Sequence, residues 1–235
     1  IPFLGLAGLA VNGGEWYGPN EGPTPDNYGD PEMNGITDGC SGHTAGAYHY
    51  HALVQKCLTQ AAISVAEPWD LADPSPDVPS PIIGYALDGF PIYGPYGCID
   101  AECSEVVRFK SSWEATGYEK IGCTSSADCG NKYRCGKAIV DGNEVNICGS
   151  LELAWEHNEC TKETCKEAKG EWLDQCNGRV GPDGTYRYHA TDTFPYILGC
   201  YRGTASNAGG NGNRGGGNNP GGGNNPGGNG PSTCE

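Results

Sequence analysis

The chain has 235 residues and a formal net charge of −15, from 14 Lys and Arg set against 29 Asp and Glu. That balance argues against nucleic acid and anionic membrane surfaces as partners, and no stretch has the length and apolarity of a transmembrane helix. With 39 Gly, 17 Pro and 13 Tyr among its aromatics, the composition predicts many short strands and turns rather than long helices.

Residues 1–11 read IPFLGLAGLAV, apolar and without an initiator Met, so a cleaved secretion signal is expected ahead of them. The same apolar start is a candidate for exchange between copies of the chain. Thirteen Cys against one Met point to an oxidising, extracellular setting. Zinc knuckles need paired C-x2-C spacings, whereas the close groups here are Cys98/Cys103, Cys123/Cys129/Cys135 and Cys160/Cys165. Disulfides are therefore expected. Twelve cysteines fall in residues 40–200, enough for six bridges, which leaves Cys234 for a symmetric link to another copy or as a free thiol.

Two stretches recur. Ala10-Val11-Asn12-Gly13 followed by Tyr17-Gly18-Pro19 returns as Ala86-Leu87-Asp88-Gly89 followed by Tyr93-Gly94-Pro95. Cys40-Ser41-Gly42-His43 followed by Tyr48-His49-Tyr50-His51-Ala52 returns as Cys176-Asn177-Gly178-Arg179 followed by Tyr186-Arg187-Tyr188-His189-Ala190. Each half reads as strand, turn, strand, loop and a Tyr-x-Tyr strand, with Asn12-Gly13 and Asp88-Gly89 expected at the centre of two-residue hairpin turns. The expected fold is a mainly β, pseudo-symmetric, duplicated antiparallel domain over residues 1–203, with halves at about 9–57 and 85–200. A small Cys-rich insert at about 98–172 interrupts the second half, with short helices expected in 152–171.

These residues resemble the YHYH-domain family, whose motif matches Tyr48-His49-Tyr50-His51. The blocks GCSGHTAGAYHYHAL, SPIIGYALDGFPIYGP and LDQCNGRVGPDGTYRYHATDTFPYILGCYRG extend the resemblance over about residues 9–203. The insert resembles the eukaryotic branch. The resemblance implies a secreted or surface protein and leaves its biochemical role undefined.

In an extended Tyr48-His49-Tyr50-His51 segment the histidines share one face. His49 and His51 are therefore candidate ligands for copper or zinc, with His43 near in sequence and His189 joining across the pseudo-symmetry. The alternative is that a repeated Tyr and His pair donates hydrogen bonds into the tight turns. Calcium is a weaker candidate through Asp26, Asp30, Asp38, Asp70, Asp73 and Asp77, which lie in Pro/Gly-rich loops without an EF-hand array. No G-x-S-x-G, H-E-x-x-H or P-loop is present. Asp88 holds a turn position that Asn12 holds in the other half, so no enzyme is expected.

Residues 204–235 are almost wholly Gly, Asn and Pro. They are expected to be an extended tail with no large apolar residue to hold it to its own domain. About thirty residues in a polyproline-II-like form span roughly 90 Å, enough to reach a neighbour. The expectation is a subunit of an extracellular filament, a homopolymer joined through tail residues Gly209, Asn218, Pro220, Asn224, Pro226 and Cys234. The NNPGG units at Asn218 and Asn224 are candidate sugar carriers. Two alternatives are a secreted metal-binding protein and a carbohydrate-binding matrix module that stacks glycans on Trp16, Tyr17, Tyr93 or Tyr96.

Overall fold

The computed structural model describes residues 5–22, 29–53, 57, 77–131, 133–150 and 154–206. The assembly residues Gly209, Asn218, Pro220, Asn224, Pro226 and Cys234 lie outside the described residues, as do Asp26, Asp70 and Asp73.

The first half contributes β1 (Leu6–Ala10), β2 (Glu15–Tyr17), the one-turn helix α1 (Pro31–Asn34), β3 (Gly42–Ala45) and β4 (Ala47–Tyr50). The second opens with β5 (Ile82–Ala86) and β6 (Pro91–Tyr93). The insert follows as β7 (Tyr96–Cys98), β8 (Val106–Arg108), β9 (Glu114–Ala115), β10 (Tyr118–Ile121), β11 (Tyr133–Val140), β12 (Asn143–Ser150) and β13 (Asn158–Glu159). The chain then returns to the frame with β14 (Gly178–Val180) and β15 (Tyr186–His189).

One eight-stranded sheet holds both halves in the order β14-β15-β6-β5-β1-β2-β4-β3. Read from either end, the order visits equivalent strands, so the duplication is built as a pseudo-twofold between the antiparallel neighbours β1 and β5. The outer hairpin of each half joins the inner one in parallel, β4 beside β2 and β15 beside β6. Residues 6–10 thus form an inner strand paired on both sides within their own chain.

The hairpin turns differ from expectation in one respect. Gly13 (φ 84) and Gly89 (φ 86) are left-handed, but Asn12 and Asp88 are not. Ala10 and Ala86 pair with Gly14 and Phe90 across three-residue loops closed by Gly13 N–H→Ala10 O and Gly89 N–H→Ala86 O, each 2.9 Å. This is a type I turn followed by a left-handed glycine. It frees the Asn12 amide to donate to the Tyr50 hydroxyl at 3.0 Å and Asp88 to accept from the Tyr188 hydroxyl at 2.6 Å. The two-residue turn with both residues left-handed occurs instead at Asp141-Gly142, between β11 and β12.

The main core brings Trp16, Ile83, Ile92 and Tyr188 together with Phe194, Tyr196, Ile197 and Leu198. Six disulfides pair all twelve cysteines of residues 40–200: Cys40–Cys57, Cys98–Cys103, Cys123–Cys135, Cys129–Cys148, Cys160–Cys165 and Cys176–Cys200. Among the described part of 152–171, the expected helices are 3-10 turns at Ala154–His157 and Glu163–Cys165. β13 lies between them, paired with β9, and keeps the chain extended where a helix would have to continue. Six disulfides suggest an extracellular protein; no helix among the described residues is long and apolar enough to cross a membrane.

Candidate metal centre

Alternation along β4 sends Tyr48 and Tyr50 to one side and His49 to the other, and His51 follows directly. Pairing with β3 sets His43 opposite His49. The loop leaving β2 brings a fourth side chain, Glu21, to the same place. The Nε2 atoms of His43, His51 and His49 lie 2.6, 3.1 and 3.6 Å from its Oε2, and His43 Nε2 lies 3.2 Å from His51 Nε2. All four donor atoms fall within 4.8 Å of one another. A tetrahedral ion bonded at the usual zinc–nitrogen length needs donor separations of about 3.3 Å, within the span of this group.

Backbone carbonyls orient two of the rings. His51 Nδ1–H donates to Gly18 O at 2.7 Å, and His49 Nδ1–H donates to Ala47 O at 3.0 Å. Each bond puts the ring proton on Nδ1 and turns the Nε2 lone pair toward Glu21, the arrangement found behind metal-bound histidines. His49 Nε2 is buried and has no hydrogen-bond partner. A buried acceptor facing a carboxylate is unfavourable unless a proton or a cation lies between them.

Burial works to raise the Glu21 carboxyl, but its polar contacts with His51, the Gly22 N–H and His43 outweigh it and hold it at about 2. Burial lowers His49, assisted by the charges of His51 and His43 and opposed by the Ala47 bond. An ionised carboxylate among three imidazoles suits a divalent ion of the copper or zinc type. Solvent reaches the cluster past His43 and Glu21, whose side chains are 15% and 14% exposed, while those of His49 and His51 are 0% exposed.

The second half repeats the frame without the donors. His189 Nδ1–H donates to Gly94 O at 2.8 Å, as His51 does to Gly18. Arg187 replaces His49, Arg179 replaces His43 and Gly97 stands where Glu21 does. The Phe109 ring packs on His189 with centroids 4.5 Å apart, and Arg179 lies 4.6 Å over the same ring while donating to Gly170 O and Ile99 O. His189 therefore does not join His43, His49 and His51. The sheet order puts five strand-to-strand steps between β15 and β4, about 24 Å at the usual spacing.

Glu21 was absent from the sequence-derived ligands. Its one signal is a break in the duplication, a carboxylate four residues beyond Tyr17 where Gly97 lies four beyond Tyr93. The tyrosines of the repeat hydrogen-bond into the loops, as the alternative reading of the Tyr/His pair expected. Tyr48 donates to Asp38 at 3.0 Å and Tyr186 to Asp174 at 2.8 Å.

The remaining candidates are placed as follows. Asp30 caps α1 and accepts from Tyr196 at 2.7 Å. Among the described residues neither Asp30, Asp38 nor Asp77 joins a group of three metal-donor side chains. Trp16 is fully buried and cannot serve as a stacking platform. Tyr17 and Tyr93 each have one face covered, by His49 and Arg187. Tyr96 is half-buried on β7.

No curated protein matches the chain, and no solved structure matches it. The family model described as YHYH protein matches residues 4–203, from just before β1 to the turn that follows Tyr201. It spans both halves and the insert, and it is not a known enzyme family. The matched span contains the duplicated sheet and all four donors, and the chain belongs to the YHYH protein family.

Proposed function

We propose that this protein is an extracellular metal-binding module that takes copper or zinc through Glu21, His43, His49 and His51. One observation carries the proposal: three Nε2 atoms converge on one carboxylate oxygen, two of them from rings whose Nδ1 protons are held by backbone carbonyls. The residues favour binding over turnover, since the buried side of the site is closed by His49 and His51.

The test is titration of the chelator-treated full chain with zinc and with copper(II), followed by calorimetry and elemental analysis. About one equivalent is expected to bind, and His49→Ala with His51→Ala is expected to abolish it. Equal uptake by the double variant would refute the proposal.

A second proposal is self-assembly into a filament through the tail. Its support is arithmetic: the six bridges use every cysteine of residues 40–200, which leaves none of those twelve to pair with Cys234. Deleting residues 209–235 is expected to leave a folded monomer. Continued fibre formation by the truncated chain, seen by electron microscopy, would sink this proposal.

A further inference from the structure

The Tyr17 ring lies flat on the His49 imidazole, with centroids 3.8 Å apart and planes inclined by 16°. It also meets His51 edge-on at 6.2 Å. In the other half Tyr93 occupies the equivalent place, and Arg187, the counterpart of His49, lies 4.6 Å over its face. The two halves have exchanged imidazole for guanidinium while keeping the same ring beneath. A guanidinium is permanently cationic, and an imidazole becomes so in effect when an ion on Nε2 draws charge from it. With an ion on His49 Nε2, both aromatic faces would carry a positive partner, the arrangement that a ring quadrupole favours.

From this pairing we infer that Tyr17 is a positioning residue of the metal centre, an inference that rests on the metal-binding proposal above. The terminal torsion of a histidine ring is broad and roughly two-fold, so the Ala47 bond alone leaves His49 able to turn its Nε2 away from Glu21. The flat contact with Tyr17 confines the ring to the plane in which Nδ1 meets Ala47 O and Nε2 faces the other donors. Its π face also stabilises the charge acquired by His49 once an ion is bound. Tyr17 makes no bond to the ion and acts through His49.

The test compares the wild-type chain with Tyr17→Phe, Tyr17→Leu and, as the control in the other half, Tyr93→Leu. Imidazole nitrogen NMR of the metal-free protein reports the His49 tautomer, and zinc titration reports affinity. Wild type, Tyr17→Phe and Tyr93→Leu are expected to show a single Nδ1–H tautomer and equal affinity. Tyr17→Leu is expected to show mixed tautomers and to bind zinc about three- to thirtyfold more weakly, the size of a ring–cation contact. An unchanged tautomer and affinity in Tyr17→Leu would overturn the inference, and so would an equal loss in Tyr93→Leu, which would mark general destabilisation. If the wild type takes up no zinc, the binding proposal falls and the tautomer comparison decides the role of Tyr17. An unchanged His49 in Tyr17→Leu then overturns the positioning role, and a mixed one sustains it.

Discussion

Glu21 and Gly97 occupy equivalent positions in the two halves, and only Glu21 sends a side chain into the histidine cluster. At Gly97 a Cβ would come within 2.6 Å of the Phe109 ring and 3.1 Å of His189. The room that holds a carboxylate in one half holds an aromatic ring in the other. One duplicated frame thus supports a polar, metal-competent end and a packed end sealed by cation–π contacts.

The difference between these two positions can be measured by substitution. Glu21→Gln keeps the shape and removes the charge. It is expected to weaken zinc binding about tenfold or more, corresponding to one charge-assisted contact of about 1.5–3 kcal/mol. Gly97→Ala is expected to leave zinc binding unchanged and to lower stability by about 1–3 kcal/mol through overpacking against Phe109. Calorimetric titration and urea denaturation of both variants check the pair, and a zinc defect in Gly97→Ala would count against the separation of the two ends.

The Cys40–Cys57 bridge has a sequence separation of 17, and its loop contains His43, His49 and His51. The equivalent Cys176–Cys200 bridge, with a separation of 24, encloses Arg179, Arg187 and His189. Removing either bridge by paired Cys→Ala substitution is expected to cost about 2–4 kcal/mol of stability. Loss of Cys40–Cys57 is expected in addition to weaken zinc binding, because the ligand loop then gains freedom that binding must remove. Denaturation curves and zinc titrations of the two double variants, compared side by side, separate these effects.

Asp30 links stability to pH. Burial raises its carboxyl to about 6, against hydrogen bonds from Tyr196 and the Met33 N–H that act the other way. Below about pH 4 the carboxyl is protonated in both folded and unfolded chains. Between about 4 and 6 the folded chain keeps a proton that the unfolded chain has released, so this group's contribution to stability falls as pH rises through that window and is flat above it. Asp30→Asn retains an oxygen for the Glu32 and Met33 amides and removes the titration. Its stability relative to wild type is expected to be higher at pH 7 than at pH 4 by about 2–3 kcal/mol. Urea denaturation of the metal-free proteins at the two pH values checks this, and a constant difference would refute it.

Much of the frame was legible in the residues because its signals are local. The repeated turn glycines Gly13 and Gly89, the alternation of Tyr48-His49-Tyr50-His51 and the even cysteine count of residues 40–200 each depend on near neighbours or on stoichiometry. They led to the two-half β domain, the disulfides and the shared face of His49 and His51. The three-residue hairpin loops and the place of His189 carry no such local signal. The turn leaves Asn12 and Asp88 bonded to Tyr50 and Tyr188, 38 and 100 residues away, beyond the reach of any local signal.

Residue order alone therefore determined that this chain is a disulfide-stapled duplicate with candidate ligands on one strand. Which residues meet was decided only by the tertiary structure. The pseudo-twofold carries His189 to the far end of the sheet, and the loop after β2 brings in Glu21. The physical reason is that a loop carboxylate has no periodicity to announce it. Its ionisation comes from His51, the Gly22 N–H and His43, against which the fold packs it.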